Sequence, residues 1–220
     1  MNNQNNNYKG ENNMSIEKVN DLVTRGKAKL TPAAVQEALD EGFAATEILN
    51  TMIAAMDVVG EKFKNGEIFV PEMLIAAKAM KKGVEVLKPH LASGAAGALG
   101  KVIIGTVAGD LHDIGKNLVA MMIESAGFEV VDLGVDVPVE KFIEAYDETV
   151  KIFACSALLT TTMPALEATV AALNDASFRS KVKVMVGGAP ITQEFADKIG
   201  ADAYTPDAAS AAKKAKELAA

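Results

Sequence analysis

A doubly wound, five-stranded parallel α/β sheet of the Rossmann or flavodoxin type, preceded by a small four-helix bundle, is the fold class this sequence predicts. Three observations predict it. Residues 15–91 repeat apolar side chains at spacings of three and four, residues 101–220 alternate short continuous apolar runs with helical runs, and the stretch between them, SGAAGALG at 93–100, has no periodic face. The expected organisation is a tail over 1–13, a bundle over 14–92, a linker over 93–100 and an α/β domain over 101–220.

In chain order, MNNQNNNYKGENN is dominated by asparagine and lacks apolar periodicity, so it reads as a disordered tail. SIEKVNDLVTRGKAK is the first helical run; Thr31 as N-cap with Pro32 at the first helical position opens the second, TPAAVQEALDEG. Phe43, Leu49, Met52, Ile53, Met56, Val59 and Phe63 line one face of a third helix, and Met73, Ala77, Met80, Val84, Leu87 and Leu91 one face of a fourth. Between these two, Gly66 ends one helix and Pro71 starts the next, yet Ile68, Phe69 and Val70 stand in a row and need a cover. Beyond the linker, KVIIGTVAG, FEVVDLG, KIFACSALL, KVKVMVGG and DAYT read as strands, alternating with helices that begin near Gly115, Pro138, Met163, Thr192 and Pro206. The strands are continuous apolar runs because a parallel sheet is covered on both faces.

Composition narrows the function. A net charge of −7 with no Lys/Arg cluster disfavours nucleic acid. The longest apolar runs, about seven residues, fall far short of the roughly 20 needed to cross a bilayer, and no charged leader precedes an apolar stretch, so the expectation is a cytoplasmic protein without a membrane partner. One cysteine, Cys155, excludes an internal disulfide, and with two histidines it cannot make a four-ligand zinc site without carboxylates.

In an open α/β sheet the ligand lies beyond the carboxyl ends of the strands. The sequence places Gly109-Asp110-Leu111-His112-Asp113-Ile114-Gly115 after the first strand, Ser156 to Thr162 after the third and Gly187-Gly188-Ala189-Pro190 after the fourth. None is a nucleotide motif: GxGxxG and GxxxxGK[ST] are missing, and the first loop offers carboxylates where a pyrophosphate needs bare amides. The third strand carries Cys155-Ser156 where a phospho-receiver would carry aspartate. Gly187-Gly188 is either a plain turn or a place where backbone approaches a bulky ligand. A lone histidine in such a loop is either a surface residue or a ligand. Asp110, two residues before His112, favours the ligand, since a carboxylate that accepts from one ring nitrogen leaves the other as the stronger metal donor. His90 has no such partner and reads as structural or solvated. HDIGK also matches HD-type metal phosphohydrolases, but their further histidine and aspartate on helices have no counterpart here, and this motif follows a strand.

Asp110-x-His112-x-x-Gly115, then 40 residues, Ser156-x-Leu158, then 28 residues, Gly187-Gly188, resembles the cobalamin-binding signature of corrinoid proteins, as in methionine synthase and the methylotrophic and demethylating corrinoid proteins. The bundle with its NGEIFVPEML turn is similar to the cap of methyltransferase corrinoid proteins, so the resemblance covers all but 1–13. It implies cobalamin as cofactor, with its lower base displaced from cobalt into a slot of the sheet and His112 as the cobalt ligand. The loop residues Asp110, Leu111, Asp113, Ile114 and Gly115 would lie against the cofactor. Ser156, Thr160 and Gly187-Gly188 would receive the nucleotide tail, with Leu158 and Leu159 as an apolar wall. A six-coordinate methylated cobalt favours an axial imidazole and four-coordinate cobalt(I) does not, so His112 would bind and release in turnover, taking a proton balanced by Asp110. By analogy with the family, Thr162 extends this relay as a third hydroxyl. Phe69, Val70, Met73 and Leu74 would shield the methyl group, and SGAAGALG would act as a hinge.

The implied function is a methyl-carrying corrinoid subunit of a multicomponent methyltransferase rather than a complete enzyme. It would work between a substrate:corrinoid methyltransferase and a methylcorrinoid:acceptor methyltransferase with a tetrahydrofolate or thiol acceptor, and with a reductive activase. The alternatives are the cobalamin subunit of a mutase, a cobalamin-dependent regulator and, ranking last, the HD-type phosphohydrolase.

Overall fold

A computed structural model describes residues 13–91 and 99–220 of the chain. The expected tail up to residue 12, and the linker up to residue 98, lie outside the described residues; Asn13, the last residue of the expected tail, is already helical. The chain divides into two compact units, 1–96 and 97–220.

The first unit holds helices α1 (Asn13–Thr24), α2 (Thr31–Asp40), α3 (Ala45–Lys64) and α4 (Val70–Leu87). Each buries an apolar stripe: Val19 and Val23 on α1, Ala34, Val35 and Ala38 on α2, Ile48, Met52, Met56 and Val59 on α3, and Met73, Ala76, Ala77, Met80 and Leu87 on α4, whereas Phe43 precedes α3 and Ile53, Phe63 and Val84 are half-buried. Helix α1 packs on α2 and α3, and α4 on α2 and α3.

Three expected boundaries move. Helix α1 stops at Thr24 instead of running to Lys29, because Gly26 takes φ +65° and the Lys27 N–H turns back to the Leu22 carbonyl at 2.8 Å. Thr31 does not cap α2. Its hydroxyl donates to the Lys27 carbonyl at 3.0 Å, since the chain is already turning at Leu30 (φ −96°, ψ −26°) and the oxygen is drawn to the preceding turn. Helix α4 ends at Leu87 and gives way to a 3-10 turn over Lys88–His90, where Pro89 has no N–H to continue the ladder. At the start of α4 the Phe69 N–H donates to the Glu72 carboxylate at 3.1 Å, half of a capping box.

The second unit is a five-stranded, all-parallel sheet: β1 (Lys101–Thr106), β2 (Glu129–Asp132), β3 (Val150–Ser156), β4 (Lys183–Gly187) and β5 (Ala203–Tyr204), in the order β2-β1-β3-β4-β5. The connecting helices are α5 (Ile114–Ser125), α6 (Val139–Glu144), α7 (Met163–Asp175) and α8 (Gln193–Ile199), and α9 (Ala208–Ala219) follows β5. Alternation along the strands assigns Ile103, Phe153, Cys155, Val184 and Val186 to one face, where they share a core with Phe142, Leu166, Val170, Leu173, Ala196 and Ile199 of α6–α8. Val102, Ile104, Ile152 and Met185 are buried on the face of α5 and α9, which pack on each other. Both faces are thus covered, except that the edge strand β2 is only half-buried. Cys155 lies in this core, and burial pushes its thiol up to about 12, so it stays neutral.

Two features position the site. The chain leaves β1 toward β2 on one side and later returns to β3 on the other, so the switch point falls between β1 and β3. The register also pairs Thr106 with Ser156 and Ser156 with Gly187, so β1, β3 and β4 finish in one row and their loops emerge side by side.

Candidate functional site at the carboxyl edge of the sheet

Asp110 is the centre of the site. It is fully buried, and each of its oxygens accepts two hydrogen bonds. Oδ1 takes the backbone N–H of His112 at 3.1 Å and lies 2.7 Å from His112 Nδ1. Oδ2 takes the backbone N–H of Leu158 and the hydroxyl of Thr162, both at 2.7 Å. Burial pushes the carboxyl up, but the four donors outweigh it: the Leu158 N–H, the Thr162 hydroxyl, and the ring and backbone N–H of His112 together hold Asp110 well below the usual carboxylate range.

An ionised carboxylate only accepts, so the proton of His112 sits on Nδ1 and the Nε2 lone pair is left for a ligand. Half of the His112 side chain is exposed. The Thr162 hydroxyl has a single proton and two acceptors within reach, Asp110 at 2.7 Å and the Leu159 carbonyl at 3.0 Å. The charged acceptor is the stronger, and the hydroxyl in turn accepts from the Leu159 N–H at 3.3 Å.

The loop is pinned from below. The Thr106 hydroxyl, buried at the end of β1, donates to the His112 carbonyl at 2.9 Å. From the loop after β2, Asp136 accepts the Gly109 N–H at 2.7 Å on its carboxylate and donates its own N–H to the Asp110 carbonyl at 2.9 Å. Asp136 is the only non-glycine with a positive φ, +50°, among the described residues.

Other candidate residues lie at the ends of β1 and β3 and on the chain that follows each. Leu111 and Ile114 are 72% and 78% exposed, and Leu158 and Leu159 are 39% and 41% exposed, so four large apolar side chains stand in solvent on two adjacent loops. Gly115 follows Ile114 in the first turn of α5, and a Cβ there would meet nothing within 4 Å. The Asp113 carboxylate accepts from Asn117 at 3.1 Å and so serves the first turn of α5. Ser156 is half-buried at the end of β3, and Thr160 is exposed.

Gly188 has φ +136°, and a Cβ there would sit 1.8 Å from the Ala157 carbonyl oxygen, so the loops after β3 and β4 touch backbone to backbone. His90 is exposed at the end of the helical unit. On that unit Phe69 is 68% and Leu74 37% exposed, whereas Met73 is completely buried on the inner stripe of α4, in a packing position.

Sequence reasoning missed three residues. Thr106 is a hydroxyl closing an otherwise apolar strand, and that exception was the available signal. Asp136 gave none beyond a GVDVP turn. Lys116 gave none either; its side chain is 1% exposed and its ammonium pairs with Asp132 at 2.5 Å and with the Asn117 side chain at 2.7 Å.

Chemically, the edge offers one imidazole nitrogen backed by a buried anion, beside an apolar patch and a tight glycine contact. Among the described residues no cluster of three or more His, Cys, Asp or Glu side chains could hold a metal ion. A metal bound at His112 would therefore bring most of its ligands with it, as a corrin does, and the exposed leucines and Ile114 suit the apolar edge of such a macrocycle. The residues present fit that group. No helix among the described residues is long and apolar enough to cross a membrane.

Comparison with known proteins agrees. Residues 100–213 match a B12 binding domain, and residues 15–88 match a second B12 binding domain. Dimethylamine corrinoid protein 2 of Methanosarcina mazei is 45% identical over 205 residues, covering 92% of this chain and 96% of the relative. Trimethylamine corrinoid protein 1 of Methanosarcina acetivorans is 44% identical over 207 residues, covering 92% and 96%. Among solved structures, a chain of the methanol:cobalamin methyltransferase complex MtaBC from Methanosarcina barkeri superposes with a TM-score of 0.80 at 28% identity, covering 94% of this chain and 80% of that one.

Proposed function

From the premise that the chain belongs to the B12-binding corrinoid proteins of methyltransferase systems, we propose that His112 Nε2 would hold the cobalt of bound cobalamin and that Asp110 and Thr162 orient it. The protein is a corrinoid methyl carrier, its cofactor is cobalamin and its partners are methyltransferases. Bound cobalamin supplies a cobalt centre that accepts and gives up a methyl group. The observation that carries the proposal is the 2.7 Å contact between His112 Nδ1 and the buried Asp110 carboxylate.

Each residue then has one task. Asp110 holds the proton on Nδ1 and turns Nε2 outward. The ionised Asp110 would balance positive charge at the imidazole without rearranging, because its other oxygen stays bound to Leu158 and Thr162. Leu111, Ile114, Leu158 and Leu159 bind the apolar edge of the cofactor, while Ser156, Thr160 and Gly187-Gly188 receive its nucleotide tail. Similarity to dimethylamine and trimethylamine corrinoid proteins supports a methylated amine as donor, brought by the partner enzyme. A tetrahydrofolate or thiol acceptor, a reductive activase and a cytoplasmic location complete the proposal.

The test is retention of hydroxocobalamin by the full chain through gel filtration, with an absorption spectrum of the protein peak. Wild type is expected to retain cobalamin with imidazole on cobalt, and His112→Ala to lose the imidazole bands and at least about 10-fold in affinity. Spectra that do not differ between the two proteins would remove His112 from the metal.

A further inference from the structure

Two residues outside the Asp110–His112–Thr162 group hold the backbone on which the imidazole rides. His112 has its amide and ring bound to Asp110, which leaves its carbonyl free to swing the peptide plane; the buried Thr106 hydroxyl takes that carbonyl at 2.9 Å. Asp110 itself is carried by the Gly109-Asp110 backbone, and Asp136 grips both ends of that dipeptide, accepting the Gly109 N–H at 2.7 Å and donating to the Asp110 carbonyl at 2.9 Å.

Asp136 makes this grip from a left-handed conformation, φ +50°. Aspartate tolerates that conformation better than most residues, and the surrounding hydrogen bonds hold it there. The loop after β2 is tied to the same strand end: the Gly134 carbonyl accepts the Thr106 N–H at 3.0 Å, and the Val137 N–H donates to the Thr106 carbonyl at 3.0 Å. Thr106 and Asp136 thus belong to one frame, which contacts the histidine loop at Gly109, Asp110 and His112.

We propose that Thr106 and Asp136 are positioning residues for the cobalt ligand: by fixing the His112 carbonyl and the Gly109-Asp110 backbone they set the direction of Nε2, and so the balance between imidazole-bound and imidazole-free cobalt. The inference rests on the reading of His112 as that ligand. Neither residue needs to touch the cofactor. Ligand geometry depends on such supporting bonds because a small tilt of the ring moves the lone pair off the metal axis.

The experiment uses the full chain with isotope-labelled histidine nitrogen, loaded with cobalamin and reduced to cobalt(II), where the splitting pattern in the electron paramagnetic resonance spectrum distinguishes bound imidazole from the cofactor's own benzimidazole base. Thr106→Val removes the hydroxyl at nearly constant shape. Asp136→Gly removes the carboxylate while keeping a residue at ease with positive φ. Each is expected to retain stoichiometric cobalamin yet lower the ratio of bound to free imidazole by about 3- to 10-fold, less than the 10- to 100-fold typical of a direct partner of a metal ligand. Thr106→Ser keeps the hydroxyl donor and Asp136→Asn an acceptor oxygen, and both are expected to restore the wild-type ratio.

If Thr106→Val fails to fold, the Asp136 pair carries the test alone. Wild-type splitting in Asp136→Gly, whatever its melting temperature, would overturn the inference and leave His112 as ligand. Missing imidazole splitting in wild type itself, unchanged in His112→Ala, would instead overturn the reading on which the inference rests.

Discussion

Gly188→Ala is expected to destabilise the α/β unit by at least about 3 kcal/mol and to abolish cobalamin retention. Its Cβ would lie 1.8 Å from the Ala157 carbonyl oxygen and 2.8 Å from the carbonyl carbon, and the atoms it meets are backbone, which cannot rotate aside like a side chain. The φ of +136° adds a conformation that alanine rarely adopts. Relief requires the loop after β4 to lift away from β3, breaking the bonds from the Ala157 N–H to the Gly187 carbonyl (3.2 Å) and from the Ile191 N–H to the Gly188 carbonyl (3.0 Å). Gly187→Ala is the control. There a Cβ would lie an ordinary 3.4 Å from the Thr205 carbonyl oxygen, so stability is expected to change by less than about 1 kcal/mol. Urea melts of the full chain, followed by a probe in the second unit, measure both; similar midpoints for the two variants would contradict the backbone contact.

Asp110→Asn is expected to cost about 2–4 kcal/mol of stability in the same unit and about 10- to 100-fold in cobalamin affinity. The carboxylate accepts from four donors with two oxygens, and an amide has one oxygen and an NH2 that must face two of those donors. The loss is buried, so water cannot repair it.

The stability deficit should depend on pH in one direction. Asp110 is held below its unfolded value, so its contribution is complete above about pH 4, the ordinary range of an unfolded aspartate, and declines as the pH falls beneath that toward the lower folded value. Denaturant melts at a series of pH values should therefore show a constant gap between wild type and Asp110→Asn from about pH 5 to 8, narrowing below about pH 4. A gap that widens in acid would mean that the carboxyl is held protonated in the folded protein.

Much of this protein was legible from residue order because the controlling interactions are local. Apolar spacing of three and four decided the four helices of the first unit, and apolar runs decided the strands of the sheet, since each pattern reflects which faces of an element meet the core. Asp110 and His112 are two residues apart on one tight loop, so their contact follows from short-range geometry alone. Where local rules competed, sequence reasoning failed: Thr31 had an N-cap signature, but an earlier turn took its hydroxyl.

The tertiary structure decided what depends on register between distant strands. Leu158 and Thr162 reach Asp110 across 48 and 52 residues because Thr106 pairs with Ser156 in the sheet, and a one-residue slip would send both elsewhere. Asp136 meets Gly109 across 27 residues for the same reason, and Met73, with the same apolar character as its exposed neighbour Leu74, turns inward because of its place on the helix. The sequence by itself determined which elements form and that a histidine follows an aspartate by two residues on one tight loop. Only the packed sheet decided which partners orient that side chain, because a hydrogen bond is confined to about 3 Å and that proximity is created by the fold.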